Sequence, residues 1–412
     1  MGKRIAALVL AVCMALPLFG CGGRIEAQCL TDGITAQTID TRTDLTDDSS
    51  AVMDFAAALL RQTAGRESVL LSPVSLLYAL GMTANGASGE TLAQLEQVTG
   101  MDRDTLNDYL YTYRMSLPEN TKKCRLSLAD SLWVRDGFRM EDSFLDACVN
   151  YYDAEVYRSA FDDTMVSDLN HWVSSRTDGM IDKLLEQAPG ERTMLYLVNA
   201  VCFDAKWKKP YEKENIQKDG VFTAADGTRQ TADLLWSQES LYLSDDNTTG
   251  FMKYYDGGRY AFVGLLPNEG VSITDYVAGL TGGKLHALLN DPQHGTVETA
   301  IPRFKASSSL ELSDALKAMG VTDAFDSAAA DLRAMGGAPN DQLYVGAVLH
   351  KTYLELDENG TKAAAVTAIE TAAGAAEPPE VHRVVLDRPF VYMIVDTHAN
   401  LPLFLGTVTA MN

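Results

Sequence analysis

The sequence predicts an α+β fold with mostly antiparallel sheets. Three observations predict it: apolar residues recur at helical spacing in some stretches, other stretches are short apolar runs of strand length, and the two kinds are not arranged in βαβ alternation. Ser72-Pro73 opens a helix, with Ser at the N-cap and Pro at the first helical position. Val74, Leu77, Leu80 and Gly81 follow on one face, and Asn85-Gly86 ends it. Residues 142–152 and 165–187 read as helices. Leu195 to Phe203, Ala261 to Leu266 and Val391 to Val395 read as buried strands, and His350 to Leu356 alternates as a strand does. Leu403-Phe404-Leu405, after Ala399-Asn400-Leu401-Pro402, reads as the return strand of a terminal hairpin.

The chain has 412 residues, of which 46% are hydrophobic and 22% charged, enough to bury a core and too apolar for a mainly disordered chain. From Ser49 to the C-terminus no second linker and no internal repeat interrupts the pattern, so residues 49–412 are expected to form one domain. Lys3 and Arg4 precede an uncharged apolar run from Ile5 to Phe19, the pattern of a secretory signal, which assigns residues 1–20 to a leader. Leu18-Phe19-Gly20-Cys21 resembles a bacterial lipobox, which implies that Cys21 becomes the lipidated first residue of an exported, membrane-anchored protein; Phe19 is bulkier than usual there. Ordinary signal cleavage nearby is the alternative. Residues 21–48, rich in Thr, Asp and Gly and without an aromatic residue, read as a flexible tether. Cys29, Cys124, Cys148 and Cys202 are widely spaced, so no disulfide framework or zinc site is legible; Cys202 reads as a buried small hydrophobe.

The formal net charge of -22 argues against nucleic acid as a partner and suits a cationic macromolecule or plain solubility. There is no Gly-x-Ser-x-Gly, His-Glu-x-x-His, P-loop or Gly-x-Gly-x-x-Gly, and no two of the six histidines stand four apart, so nothing local supports an enzyme and no cofactor is implied. The informative stretch follows Asp357. After Glu358-Asn359-Gly360 comes a run of small residues from Thr361 to Ala376, closed by Pro378-Pro379. At period two, Thr361, Ala363, Ala365, Thr367, Ile369, Thr371 and Ala373 form an uncharged parity, while Lys362 and Glu370 fall on the other. The segment suits a surface loop, and equally a loop that can later enter a sheet as a central strand with its uncharged face inward.

The sequence resembles the serpins, serine-protease inhibitors with an inserting loop. The resemblance spans about residues 50–412 and rests on several blocks in family order. They are Leu71-Ser72-Pro73-Val74-Ser75, Asn199-Ala200-Val201-Cys202-Phe203, Lys206-Trp207-Lys208-Lys209-Pro210, Ile301-Pro302-Arg303-Phe304-Lys305, Val348-Leu349-His350-Lys351, Glu358 to Ala365 and Asp387-Arg388-Pro389-Phe390. Lys362 and Asn359 depart from the family pattern at positions expected to face solvent.

The resemblance implies three mostly antiparallel sheets, about eight or nine helices, an exposed reactive loop and a metastable native state. It implies a covalent trap for a target serine protease, with Glu358, Gly360, Thr361, Ala363, Ala364 and Ala365 as the hinge. Counting along the family loop places the scissile bond near Gly374-Ala375. The small flanking residues Thr371, Ala372, Ala373 and Ala376 suit an elastase-like or subtilisin-like target. Ser72, Ser75, Asn199 and His350 match a polar cluster where the main sheet opens, Trp207 the loop's entry point, and Arg303 a partner for Glu358. A monomer is expected. A non-inhibitory binding protein of the same fold is the alternative, and a hydrolase is a third reading without a constellation to support it.

Overall fold

The computed structural model describes residues 25–42, 44–46, 48–65, 67–190, 193–338, 342–361 and 381–411. In chain order β1 (Gln28–Cys29) is followed by α1 (Ser49–Thr63), β2 (Val69–Leu71), α2 (Pro73–Gly86), α3 (Gly89–Thr99) and α4 (Arg103–Ser116). Next come β3 (Cys124–Arg135), β4 (Arg139–Met140), α5 (Asp142–Tyr152), β5 (Glu155–Ser159), α6 (Asp163–Arg176) and β6 (Leu195–Lys206). The chain continues through β7 (Ile216–Thr223), β8 (Arg229–Asp245), β9 (Thr248–Tyr254), β10 (Tyr260–Pro267), α7 (Ile273–Ala278), α8 (Gly282–Asn290), β11 (Gln293–Pro302), β12 (Phe304–Glu311) and α9 (Ser313–Met319). It closes with β13 (Gly336–Gly337), β14 (Ala347–Asp357), β15 (Gly360–Thr361), β16 (Val381–Val385), β17 (Phe390–Asp396) and β18 (Leu401–Val408).

One sheet has the order β1-β5-β3-β6-β15-β14-β12, with β6 also paired directly to β14. A second runs β16-β11-β8-β9-β10-β17-β18-β2, with β7 on β8. The long strand β8 pairs with β7 and β11 over most of its length and with β9 only at its C-terminal end, so this sheet divides along β8 into two blades. The three-sheet α+β expectation is met, and among the described residues only β3 with β5, β6 with β14 and β11 with β16 pair in parallel.

Helix α2 is apolar all round and is buried at every residue but Asn85, as a helix enclosed by core must be. Strands β10, β17 and β18 are buried along their whole length, which explains their unbroken apolar runs. A second apolar cluster lies on the seven-stranded sheet. There Met165, Leu169, Trp172 and Val173 of α6 pack with Val198 of β6 and Leu349 of β14. Helix α6 thereby shares its apolar cluster with both β6 and β14, the strands that pair directly.

Two expectations are corrected. Helix α6 ends at Arg176 and does not reach 187, because Asp178 and Gly179 adopt left-handed conformations at φ 50° and 74°. The chain then folds back, and the Asn170 side chain of α6 accepts the Leu184 and Leu185 amides. The stretch read as a tether is laid on the body from Ile25 onward. Gln28 and Cys29 pair with Arg158 and Tyr157 of β5, and the Leu30 amide donates to the Val156 carbonyl at 2.7 Å. Asp168 of α6 accepts the amides of Glu26 (3.0 Å) and Ala27 (2.7 Å). Farther along, the amides of Gln37, Ile39 and Arg42 donate to the side chains of Asn150, Tyr111 and Thr112. Polar composition suggested a free segment; captured backbone amides hold it instead.

Asp168→Ala removes the acceptor of two of these amides. A charge-assisted hydrogen bond contributes roughly 1.5–3 kcal/mol, so hydrogen exchange at Glu26 and Ala27 should speed up about tenfold or more. Exchange within α2 should not change. Mass spectrometry of peptides covering 25–30 reads both; unaltered protection at 26–27 would mean that Asp168 is not the anchor.

Candidate functional site

The site is the line between β6 and β14. Their parallel register runs from Ala347 opposite Tyr196 to Tyr353 opposite Cys202. Beyond that point the strands part, and β15 enters the gap between them. Thr361 lies opposite Leu356 on β14 and Ala205 on β6; Gly360 lies opposite Asp357 and Lys206. Both pairings are antiparallel. Thr361 is fully buried, its hydroxyl 2.9 Å from that of Tyr255. Gly360 has φ 148°, and a Cβ there would lie 2.1 Å from the Ala205 carbonyl oxygen, so no other residue fits this seat.

The turn that delivers β15 is held from several sides. Asp357 Oδ1 accepts the amides of Asn359 (2.7 Å) and Gly360 (3.2 Å). The carbonyls of Asp357, Glu358 and Asn359 accept from Trp207 Nε1, the Tyr211 amide and the Trp207 amide at 2.8–2.9 Å. Trp207 stacks on Tyr255, with ring centroids 4.3 Å apart and planes 12° apart. Lys253 Nζ lies 5.4 Å from the Trp207 ring centroid and 4.4 Å from that of Tyr211. It is buried and bonded to Glu239 at 2.8 Å. Burial lowers the Lys253 pKa, and the Glu239 carboxylate opposes that shift.

Glu358 and Arg303 meet here as well. Arg303 Nη2 lies 2.5 Å from Glu358 Oε2, and its Nη1 lies 3.2 Å from Asp233, which also holds Lys218 at 2.5 Å. Both members of the Arg303–Glu358 pair remain about one-third exposed, so the pair contributes only about 0–1 kcal/mol. The hydrogen bond from Lys218 and the charges of Lys218 and Arg303 hold the Asp233 carboxyl below its ordinary value.

Lower on the same line, His350 stands opposite Asn199. His350 Nε2 accepts the Ser72 amide at 3.0 Å, so the imidazole is neutral with its proton on Nδ1. That proton goes to Asn199 Oδ1, 2.8 Å away. Asn199 Nδ2 donates to the Ser75 carbonyl at 2.7 Å and to Asp130 Oδ1 at 2.5 Å. The chain of bonds crosses from α2 through β14 and β6 to β3. Burial pulls His350 down to about 4. Burial pushes Asp130 up to about 8, against the lowering effect of the Asn199 bond, so burial favours its neutral acid form.

Of the residues singled out from sequence, Glu358, Gly360, Thr361, Trp207 and Arg303 are together at the upper end, and Ser72, Ser75, Asn199 and His350 are together below. The two serines take part through their backbones only. Their buried hydroxyls have no hydrogen-bond partner among the described residues, and Ser72 does not cap α2 with its side chain. Ala363, Ala364, Ala365, Thr371, Ala372, Ala373, Gly374, Ala375, Ala376 and Cys21 lie outside the described residues. Sequence reasoning missed Asp130, Asp233, Tyr211, Lys253 and Tyr255. Only Lys253 carried a signal, as a lone charge among the buried residues of β9. Cys202 is buried as expected, and none of the four described cysteines is in a disulfide.

The family model described as Serpin (serine protease inhibitor) matches residues 50–411. The crystal structure of a thermophilic serpin, tengpin, in its native state is similar with a TM-score of 0.89 and 39% identity, covering 93% of this chain and 100% of that one. Tengpin in its latent state is also similar, with a TM-score of 0.78 and 36% identity over 92% and 100% of the two chains. Iris of Ixodes ricinus is 31% identical over 379 residues, 87% of this chain and 98% of Iris.

The buried network sets a pH dependence. His350 has a folded pKa below its ordinary 6.5, so its contribution is complete above 6.5 and is lost as pH falls toward 4. Asp130 has a folded pKa above its ordinary 3.8, so the folded state holds a proton that the unfolded state has lost, and its contribution falls as pH rises toward 8. Between 4 and 6.5 the two slopes oppose. From 6.5 to 8 only Asp130 of the pair acts, weakening the fold by about 2 kcal/mol. Asp130→Asn keeps the acceptor for Asn199 and removes the titration. Its thermal midpoint should stay flat from pH 6.5 to 8 while that of the parent falls. Parallel falls in both proteins would mean that another group carries the effect.

Proposed function

Because this chain belongs to the serpin family, we propose that it is a suicide-substrate inhibitor of serine proteases whose specificity pockets are shallow and apolar, of elastase or subtilisin type. The observation that carries the proposal is β15. Two residues of the hinge already sit as a strand between β6 and β14, buried and antiparallel to both. Residues 361–374 need only extend this strand downward to fill the line between them. About fourteen residues at 3.3 Å each make a strand of roughly 46 Å.

The chemistry follows from a bait loop joined to such a wedge. The protease serine attacks the carbonyl of Gly374, the bond to the Ala375 nitrogen breaks, and an ester joins the enzyme to Gly374. The loop, cut from its C-terminal anchor, then enters the sheet and draws the enzyme with it before water cleaves the ester. Each residue added gives hydrogen bonds to both neighbours, in the antiparallel geometry that is slightly better per residue than the parallel pairing it replaces. Thr371, Ala372, Ala373 and Ala376 offer no cationic or aromatic side chain, which supports the choice of target class. The same proposal places the inhibitor outside the cytoplasm on a lipid at Cys21, supported by Leu18-Phe19-Gly20-Cys21, and takes it to act as a monomer.

Elastase mixed with the protein should give a denaturation-resistant band at the summed mass on a gel; cleavage alone, or no change, would reject the inhibitor reading for this target class. Thr361→Arg forces a cation into a fully buried seat beside Tyr255, at a cost of several kcal/mol. It should convert the inhibitor into a cleaved substrate, with complex yield down tenfold or more. Undiminished complex would remove Thr361 from the insertion path.

Gly374→Arg should redirect the protein toward trypsin-like enzymes, whose acidic pocket floor pairs with a guanidinium. The released C-terminal peptide, sequenced from its first residue, should begin at Ala375. A start several residues away would show the loop count to be wrong.

A further inference from the structure

Met165, Leu169, Trp172 and Val173 of helix α6 share one buried apolar cluster with Val198 of β6 and Leu349 of β14, on both sides of the line that a new strand must open. Inserting one strand moves β6 and β14 apart by about 4.8 Å. A helix packed on both cannot stay where it is. What holds it is therefore a control point for insertion.

Ala160-Phe161 precede α6, and Gly190 and Thr193 belong to the segment that leads from α6 to β6. Arg135, the last residue of β3, holds both linkers with one side chain. Its Nε donates to the Thr193 carbonyl at 2.8 Å, its Nη2 to the Gly190 carbonyl at 2.9 Å and its Nη1 to the Ala160 carbonyl at 3.3 Å. Its guanidinium carbon lies 4.8 Å from the centroid of the Phe161 ring. Phe161 is buried and has φ 61°, a left-handed conformation that bulky residues rarely adopt. A second bond from the same residue, its amide to the Met194 carbonyl at 2.9 Å, ties the exit linker to β3. Among the described residues no carboxylate pairs with Arg135. Its charge is spent on backbone carbonyls, as a planar fork of donors allows and a lysine does not.

We propose that Arg135 is a positioning residue that brakes loop insertion by clipping the entry and exit linkers of α6 together. The proposal rests on the insertion mechanism set out above. The clip must release at least one linker before α6 can follow β14 away from β6, and the strained Phe161 favours release once the guanidinium is gone.

The test compares the parent with Arg135→Ala and Arg135→Lys, the second keeping charge and stem in case the first folds poorly. Hydrogen exchange on the uncleaved proteins should rise in peptides covering 160–176 and 186–194 and stay unchanged in β9 and β10. Conversion to a form resistant to urea on mild heating, followed by gel, should be about ten- to hundredfold faster in both variants. With elastase at equal concentration, the ratio of covalent complex to cleaved product should rise, a gain that a merely damaged structure does not give. Lysine that restores parent behaviour in full would overturn the forked clip. Faster exchange without faster conversion would reduce Arg135 to a structural residue and overturn the brake. Unchanged exchange would overturn the clip itself. A parent protein that never converts and never forms complex would remove the insertion mechanism and the brake with it, whatever exchange shows at 160–194.

Discussion

Between Tyr196 and Cys202, β6 bonds to β14 in parallel; beyond Cys202 the two strands part and Gly360-Thr361 lies between them. The central pair of the sheet is joined over only seven residues, and β15 lies beyond the point where that pairing ends. The rest of the molecule is arranged around that line. Helix α2 supports it from inside through the Ser72 amide and the Ser75 carbonyl. Helix α6 shares an apolar cluster with both of its strands. Trp207 and Tyr211 fix the turn at its upper end through three consecutive carbonyls.

The proposed insertion would require the polar groups along the line to part. His350 and Asn199 face each other across it, both neutral, in a network in which each polar hydrogen of the Asn199 amide has an acceptor. Separating them strands two buried groups, at roughly 1–3 kcal/mol each unless new partners arrive. A neutral network carries no uncompensated charge through that transition, whereas an ion pair at this position would leave two. The Arg303–Glu358 pair is therefore in its proper place at the half-exposed rim, where water can take over. A buried ion pair near Gly360, Lys253 with Glu239, sits on β9 and β8, neither of which the proposed insertion parts.

Much of this was legible because it is local. Ser72-Pro73 marks the start of α2 by backbone geometry alone, and the alternation from His350 marks β14. A glycine followed by small uncharged residues stands out in the sequence, and the structure places Gly360 where the Ala205 carbonyl blocks every other side chain. What was not legible depends on partners distant in sequence. Asp130 reads as an ordinary charge in the middle of β3; only its burial by elements distant in sequence raises its pKa, against the opposing bond from Asn199 of β6. Residues 25–42 have the composition of a linker, yet Asp168, Asn150, Tyr111 and Thr112 collect their amides. Ser72 has the right identity and place for a side-chain cap, but His350 claims its backbone amide and the hydroxyl is left without a partner. The early end of α6 lay in plain view at Asp178-Gly179 and was overridden by the apolar residues that follow.

Trp207 gives the molecule an optical consequence. It is one of four tryptophans, and its indole stacks on the Tyr255 ring with the Lys253 ammonium 5.4 Å from its centroid and its N–H fixed on the Asp357 carbonyl. Trp133 is stacked on Tyr157 at 4.5 Å in the apolar cluster beneath α6. One indole thus sits at the wedge and another in the α6 cluster. A cation near an indole ring alters its emission, and so does a change in solvent contact. In variants that keep only Trp207 or only Trp133, the surroundings of the wedge and of the α6 cluster would each report through its own indole emission, without an attached dye.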